Sequence, residues 1–312
     1  MNTKILFMGT PEIAAISLRT LLDAGVNVVG AVTGQDKPRG RGNVMTPTPV
    51  KALAIEKDIP VYTPKSLKDG EFLNILSEIS PDLIAVVAYG KILPPEVINF
   101  PPYGCINVHV SLLPKYRGAA PMQRAIMEGE RETGVTIMYM DEGLDTGDII
   151  ATESFPITES DDFESIHDRS AEIGAVLLSK TVDSLKLGTA KRVPQDSSFA
   201  TYAKKVEKED CKIDFTLSAE AVSRRARGVT PIPGAFCFLN GKMIKLARVR
   251  ATDGKGMPGE VISLDAKGEG SITVACGEGA LLVSLVIPEG KGRMSAGDFI
   301  RGRKINLGDV FT

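Results

Sequence analysis

Short apolar runs at 5–8, 26–32 and 83–88, the last uninterrupted, alternate with segments of helical periodicity through the first half of the chain. That alternation admits few folds. Two parallel strands cannot be joined by a tight hairpin; they need a crossover of about a dozen residues or more, usually a helix, and strands covered on both faces read as continuous apolar runs. The first unit is legible in detail. Ile5 to Met8 reads as a buried strand, Thr10 stands where it can cap a helix, Pro11 takes the first helical position, and Ile13, Ile16 and Leu21 carry the helix toward Gly25. Pro49 opens a second helix, and a long one is expected from Asp162 to Leu187, stopped by Gly188. The pattern predicts an α/β domain with a Rossmann-like, doubly wound, mostly parallel sheet.

Beyond about residue 194 the pattern changes to β-runs with turn punctuation. Asn240-Gly241 between Ala235–Leu239 and Met243–Val249 is a strong type I′ hairpin signal. Further strands are expected at 259–264, 271–275 and 280–287, with a helix from Ser218 through Arg227 and another capped by Ser295 with Asp298. A small C-terminal β-barrel of OB-like shape fits these runs. The expected organisation is a catalytic domain over 1–188, a linker over 189–205 and a barrel over 206–312, and 312 residues suffice for two cores.

The net charge of −2 conceals an asymmetry. Residues 1–200 carry 19 Lys+Arg against 26 Asp+Glu, whereas 201–312 carry 18 against 13. A basic half attached to an acidic half suggests that the second domain meets a polyanion. Arg224, Arg225 and Arg227 cluster near its start, and Arg301, Arg303 and Lys304 near its end. The four cysteines are far apart, without the spacing of a zinc site or a disulfide framework, so they are expected reduced and mostly buried. The apolar run after Met1-Asn2-Thr3-Lys4 is too short for a signal or a membrane span, and a cytoplasmic, non-membrane protein is expected. Thr-Pro-Glu after Gly9 lacks the Gly-x-Gly-x-x-Gly fingerprint, which argues against a nicotinamide or flavin enzyme.

Imidazole chemistry has two candidates, His109 and His167. His167 falls within the long helix beside Asp168 and Arg169, where a surface role is expected. His109 lies in a strand in which Ile106, Val108 and Val110 alternate with Asn107 and His109, so the last two share a face, about 6.6 to 6.8 Å apart along the backbone. A loop, Ser111 to Gly118, then leads to a helix bearing Met122, Ala125 and Ile126. Groups at the carboxyl end of a strand, before a helix, occupy the usual α/β binding crevice. A second polar stretch, Asp141 to Asp148, follows the strand 135–140; by itself it reads as a turn or a weak metal site, lacking the full calcium-loop pattern.

Asn107-Val108-His109, Ser111 to Gly118, Gly143 to Asp148 and the opening Phe7-Met8-Gly9-Thr10-Pro11 together resemble the folate-dependent formyltransferase family, and the resemblance extends through most of both domains. It implies a catalytic trio of Asn107, His109 and Asp145, and a folate site lined by Ser111, Leu112, Leu113 and Pro114. It implies 10-formyltetrahydrofolate as formyl donor and no metal. Family members formylate different amines, so the trio leaves the acceptor open. The loop Thr33 to Gly42 resembles the tRNA-contacting insertion of members acting on initiator methionyl-tRNA, and by that resemblance Arg41 reaches the acceptor end of the tRNA. The basic second domain suits the same large substrate. A monomer is expected. The alternatives are a formyltransferase for a small amine and a non-catalytic RNA-binding protein on the same fold.

Overall fold

A computed structural model describes residues 3–39, 42–68 and 70–312, and the chain divides into two compact units. One comprises Met1–Gly118, Gly134–Phe155 and His167–Tyr202; the other comprises Ala119–Thr133, Pro156–Ile166 and Ala203–Thr312. From the amino terminus run β1 (Ile5–Gly9), α1 (Glu12–Asp23), β2 (Val28–Val32), β3 (Lys37–Arg39), β4 (Val44–Thr46), α2 (Pro49–Glu56), β5 (Val61–Tyr62), α3 (Gly70–Ile79), β6 (Leu83–Val87) and α4 (Pro95–Ile98). Then come β7 (Cys105–His109), β8 (Arg117–Gly118), α5 (Pro121–Glu128), β9 (Glu132–Tyr139), β10 (Ile149–Pro156) and α6 (Phe163–Lys186). The remainder holds β11 (Tyr202–Ala203), α7 (Lys208–Cys211), α8 (Ala219–Gly228), β12 (Ala235–Leu239), β13 (Lys242–Thr252), β14 (Val261–Asp265), β15 (Ser271–Ala275), β16 (Ala280–Pro288), β17 (Met294–Ser295) and α9 (Ala296–Arg301).

The first unit is built on a seven-stranded sheet in the order β10-β9-β7-β6-β1-β2-β5. Strands β5, β2, β1, β6 and β7 are parallel, and β9 runs antiparallel to β7. Alternation sends Ile5, Phe7, Leu83, Ala85, Ile106 and Val108 to one face, packed with Leu18 of α1 and Leu178 and Val182 of α6. Leu6, Met8, Ile84, Val86 and Cys105 go to the other, with Phe72 and Leu76 of α3. The mostly parallel, doubly wound arrangement expected from the apolar runs is thus observed. Chain order reverses at β1, which has β2 on one side and β6 on the other, and this opens a crevice at their carboxyl ends. The crevice has a volume of about 540 Å³ and is lined by Thr10, Pro11, Gly34, Lys37, Tyr89 and Lys91 among others.

Thr10 departs from its expected role. Helix α1 starts after Pro11 without a side-chain cap, and Thr10 Oγ1 instead accepts from Gly34 N at 3.3 Å and donates to Tyr89 O at 3.2 Å. One hydroxyl thereby ties the exits of β1, β2 and β6 together. Gly9 is required there, because a Cβ would lie 2.6 Å from Ala14 Cβ and 2.8 Å from Val87 O.

The second unit contains the antiparallel sheet β12-β13-β16-β15-β14, with β17 beside β16. Asn240 and Gly241 adopt φ of 52° and 75°, the left-handed pair that a type I′ turn needs, and Leu239 pairs with Lys242. The strands do not close a barrel by direct pairing of β12 with β14. The segment 309–312 bonds to both edges instead: Phe238 and Thr312 exchange N–H···O bonds of 2.8 and 2.9 Å, and Val261 N donates to Asp309 O at 2.8 Å. Phe311, 3% exposed, seals the interior beneath.

The expected division by a single linker differs from this grouping. Helix α5 belongs with α8, touching so closely that a Cβ on Gly228 would lie 2.8 Å from Met127 Cγ. Arg124 on α5 forks onto Asp210 at 3.0 and 2.7 Å, and that guanidinium holds the Asp210 carboxyl below its ordinary value. Residues 189–202 pack with the first unit, where Val193 and Ile149 exchange backbone hydrogen bonds of 2.8 and 2.9 Å.

All four cysteines are buried free thiols. Burial pushes Cys105 up to about 12 and Cys276 up to about 11, because an apolar surround disfavours the thiolate. A thiol reagent at neutral pH should therefore label none of them in the native protein and all four in denaturant, as read by mass spectrometry. Fast native labelling at Cys105 would contradict the packing of β7.

Candidate active site

Strand β7 carries the chemistry because its two faces differ. Ile106 and Val108 join one apolar cluster and Cys105 the other, so Asn107 and His109 share the side of Cys105. Asn107 sits opposite Val86 of β6 and Met138 of β9, and His109 opposite Thr136. The Asn107 amide is half-buried and makes no hydrogen bond among the described residues, so its donor is available to a ligand.

His109, 5% exposed, is held from two sides. Its Nε2 lies 3.0 Å from Tyr116 O; a carbonyl only accepts, so Nε2 carries a proton. Nδ1 faces Asp145 Oδ2 at 3.6 Å, within ion-pair range and too long for a direct hydrogen bond. The same Oδ2 accepts from Gly118 N at 2.8 Å. Tyr116 and Asp145 both adopt left-handed backbone, φ 60° and 53°, conformations that persist only where the surroundings enforce them.

Within the acidic stretch the carboxylates divide their work. Asp141 closes its own turn, accepting from Gly143 N at 3.0 Å and Thr146 Oγ1 at 2.7 Å, and Asp148 pairs with Arg192 at 2.9 Å. Asp145 alone turns to His109. Gly147 leaves no room for a side chain, since a Cβ would run into Tyr139 O, and a Cβ on Gly143 would push Thr146 Oγ1 from its place against Asp141.

The segment 111–114 is fixed by Thr136, whose Oγ1 donates to Ser111 O at 2.7 Å and accepts from Leu113 N at 3.2 Å. Ser111 is fully buried and its hydroxyl donates to Lys115 O at 2.7 Å. Leu113 is buried, so Leu112 and Pro114, both half-buried, are the side chains of this run most open to a ligand. Arg41 lies outside the described residues; near it, Lys37 and Arg39 of β3 pair with Thr46 and Val44 of β4. His167 is a helix-surface group beside Asp168, at 2.9 Å.

Two residues that sequence reasoning passed over complete the site. Arg117, 2% exposed, donates Nε and Nη2 to Gln195 Oε1 at 3.1 and 2.7 Å. Gln195 Nε2 donates to Asp145 O at 2.9 Å and Gly147 O at 2.8 Å. Arg117 fell within the noted loop, but nothing in the polar stretch around Gln195 marks it.

The C-terminal basic clusters are partly internal. Arg301 donates to Ala266 O, to Gly268 O at 3.3 Å and to Asp298 at 2.6 Å. Arg227 donates to Asp161 O at 2.6 Å, and its burial lowers its pKa. Arg248 and Arg250, two apart on β13, are exposed and line a groove of about 620 Å³ with Arg293, opposite Glu159, Asp162 and Glu164. Among the described residues no group of three or more His, Cys, Asp or Glu side chains is placed to hold a metal ion, and no helix is long and apolar enough to cross a membrane.

Comparison with known proteins gives a consistent result. Residues 1–182 match the family described as formyl transferase and residues 205–304 match the formyl transferase C-terminal domain. Methionyl-tRNA formyltransferase of Citrifermentans bemidjiense is 47% identical over 98% of this chain and 96% of its own length. The protein of that name from Syntrophus aciditrophicus is 46% identical over 98% of each. Among solved structures, HypX from Aquifex aeolicus in complex with tetrahydrofolic acid aligns over all of this chain with a TM-score of 0.65 at 20% identity. The chain spans about half of that protein, 51%. An N-formyltransferase from Helicobacter canadensis, in complex with folinic acid and dTDP-3-aminofucose, aligns over 90% of this chain and 98% of its own with a TM-score of 0.66 at 19% identity. These two likenesses show a shared fold.

The clamp at Thr136 is directly testable. Thr136→Val keeps the shape and leaves Ser111 O and Leu113 N without this partner in a fully buried setting, which should cost about 1 to 3 kcal/mol. The urea midpoint should fall at an unchanged slope; a midpoint equal to wild type would show that Thr136 does not hold the turn.

Proposed function

The chain belongs to the formyl transferase family, and on that premise we propose that it moves the formyl group of 10-formyltetrahydrofolate to the free amino group of methionyl-tRNA, giving formylmethionyl initiator tRNA. Relatives carrying that name match it over nearly its whole length. The observation that carries the chemistry is His109 set between Tyr116 O and Asp145 at the end of β7, with the uncommitted Asn107 amide on the same face.

Formyl transfer requires an amine to attack a carbonyl, and charge develops on the carbonyl oxygen. The bound donor supplies an activated formyl carbon, so no acyl-enzyme is required. Asn107 donates its side-chain amide toward the developing oxyanion, and His109 does so through Nδ1, which at 3.6 Å from Asp145 makes no direct hydrogen bond to it; fixed donors act most strongly there. Asp145 lies on the Nδ1 side of His109 and takes part, directly or through water, in removing the amine proton. As the tetrahedral intermediate collapses, the bond from formyl carbon to carrier nitrogen breaks and that nitrogen gains a proton. The chain around 111–114, with Leu112 and Pro114 partly exposed, provides an apolar and backbone edge suited to a folate ring.

Selection of tRNA falls to other surfaces. Arg41 is assigned to the acceptor end. Arg248, Arg250 and Arg293 are assigned to phosphates, in preference to Arg301, whose guanidinium is held by backbone carbonyls and Asp298, whereas the Arg248 pair with Glu269 is exposed and 3.9 Å long. Phosphate contacts supply affinity and register, leaving discrimination to the acceptor end. We place this activity in the cytoplasm, in a monomer, where both substrates are met.

Formyl transfer from 10-formyltetrahydrofolate to methionyl-tRNA is the deciding assay, with uncharged tRNA and small amines as controls; no product with competent tRNA would reject the function. Asn107→Ala and His109→Ala should each slow transfer by on the order of 10² to 10³ while folate still binds. Asp145→Asn should be similarly inactive and folded. Near-normal turnover in these variants would reject the trio. Replacing Arg248, Arg250 and Arg293 with Ala should flatten the log–log salt dependence of tRNA binding by about 0.7 to 0.9 for each phosphate no longer neutralised. An unchanged slope would remove them from the interface.

A further inference from the structure

We propose that Gln195 is a positioning residue for this reaction, fixing the backbone of the Asp145 loop so that its carboxylate stays against His109. The proposal rests on the formyl transfer reading above. Asp145 occupies left-handed backbone at φ 53° and approaches His109 to 3.6 Å, so its location depends on what restrains the loop. Gln195 restrains it at two points, donating one amide group to Asp145 O and Gly147 O.

The orientation of that amide is not ambiguous. A guanidinium only donates, so the face of Gln195 toward Arg117 must be Oε1, and Nε2 must face the two carbonyls. Arg117 in turn is central to the site. Its neighbour Tyr116 offers the carbonyl that binds His109 Nε2, and its neighbour Gly118 offers the N–H that binds Asp145 Oδ2. Three consecutive residues therefore contact His109, Gln195 and Asp145, and the chain of bonds closes on itself. The segment carrying Gln195 is anchored separately: Thr201 Oγ1 accepts from Tyr116 N, and Thr201 O from Arg117 N, both at 2.9 Å. Gln195 thus joins two loops that otherwise meet through the His109–Asp145 pair and the Gly118 hydrogen bond.

A purely structural role would lower stability and leave Asp145 chemistry as it is. Single-turnover transfer at saturating substrates separates the two. Gln195→Leu should slow transfer by on the order of tenfold to a hundredfold, because displacement of a reacting group by about 1 Å has effects of that size, with KM for both substrates unchanged. Gln195→Glu keeps an acceptor for Arg117, loses the donor and faces two carbonyls with a carboxylate, so it should be equally slow. In an Asp145→Asn background Gln195→Leu should add almost nothing, since both changes act on one group.

An independent readout does not require turnover. With two histidines in the chain, the imidazole NMR spectrum is simple, and Gln195→Leu should move the His109 resonances toward those of Asp145→Asn while leaving His167 in place. Wild-type transfer rates in Gln195→Leu, equal losses in both backgrounds, or an unmoved His109 signal would overturn the proposal. If Gln195→Leu fails to fold, Gln195→Glu carries the same comparisons. A wild-type protein inactive on methionyl-tRNA would sink the formyl transfer reading alone, and the His109 spectrum would still decide whether Gln195 sets Asp145.

Discussion

A parallel sheet covered on both faces has no place for polar chemistry except at the ends of its strands. In β1 and β6 every side chain is at most 4% exposed, and all are apolar, so burial and function are separated along each strand. The crevice of Thr10, Tyr89 and Lys91 and the neighbouring exit of β7 are where the backbone leaves the sheet and polar groups meet solvent. The position of Asn107 and His109 follows from the same constraint: β7 joins the parallel set on one side and the antiparallel β9 on the other, at the edge where the two patterns meet.

What makes the strand end reactive is the pairing of unlike acceptors around one ring. A carbonyl fixes the proton on Nε2 and a carboxylate stands 3.6 Å from Nδ1, and neither competes for the Asn107 amide. The cost of presenting these acceptors is local: two residues in left-handed backbone, a buried guanidinium and a glutamine that satisfies it. Burying Arg117 is tolerable because Gln195 accepts from it twice, and a charged group without such partners would be strongly destabilising there.

Much of this was legible in the sequence, and the exceptions have physical reasons. Alternation in β7 placed Asn107 and His109 on one face, and Asn240-Gly241 announced its turn because few residue pairs tolerate two left-handed conformations. Spacing alone could not choose among Asp141, Asp145 and Asp148, since the choice depends on which carboxylate its own turn consumes; resemblance to a family supplied it. Thr10 looked like a helix cap, but a strand exit offered its hydroxyl better partners. Gln195 was invisible because its partners lie 50 and 78 residues away. Arg301 is exposed as its charge implies, yet its guanidinium is held by backbone carbonyls and Asp298 that spacing does not reveal. The edges of the second sheet are bridged by 309–312, a stretch with no strand periodicity of its own.

The crowding around Gly143 and Gly147 limits substitution. In this loop Gly147 admits no Cβ without moving backbone, Gly143 admits one only if Thr146 shifts, and Asp145 is left-handed, so few substitutions fit it without disturbing Asp145. Val44 and Met45 of β4, by contrast, are 67% and 61% exposed, and their replacement disturbs no core. The architecture thus separates a loop held by sterics from an exposed strand that is not.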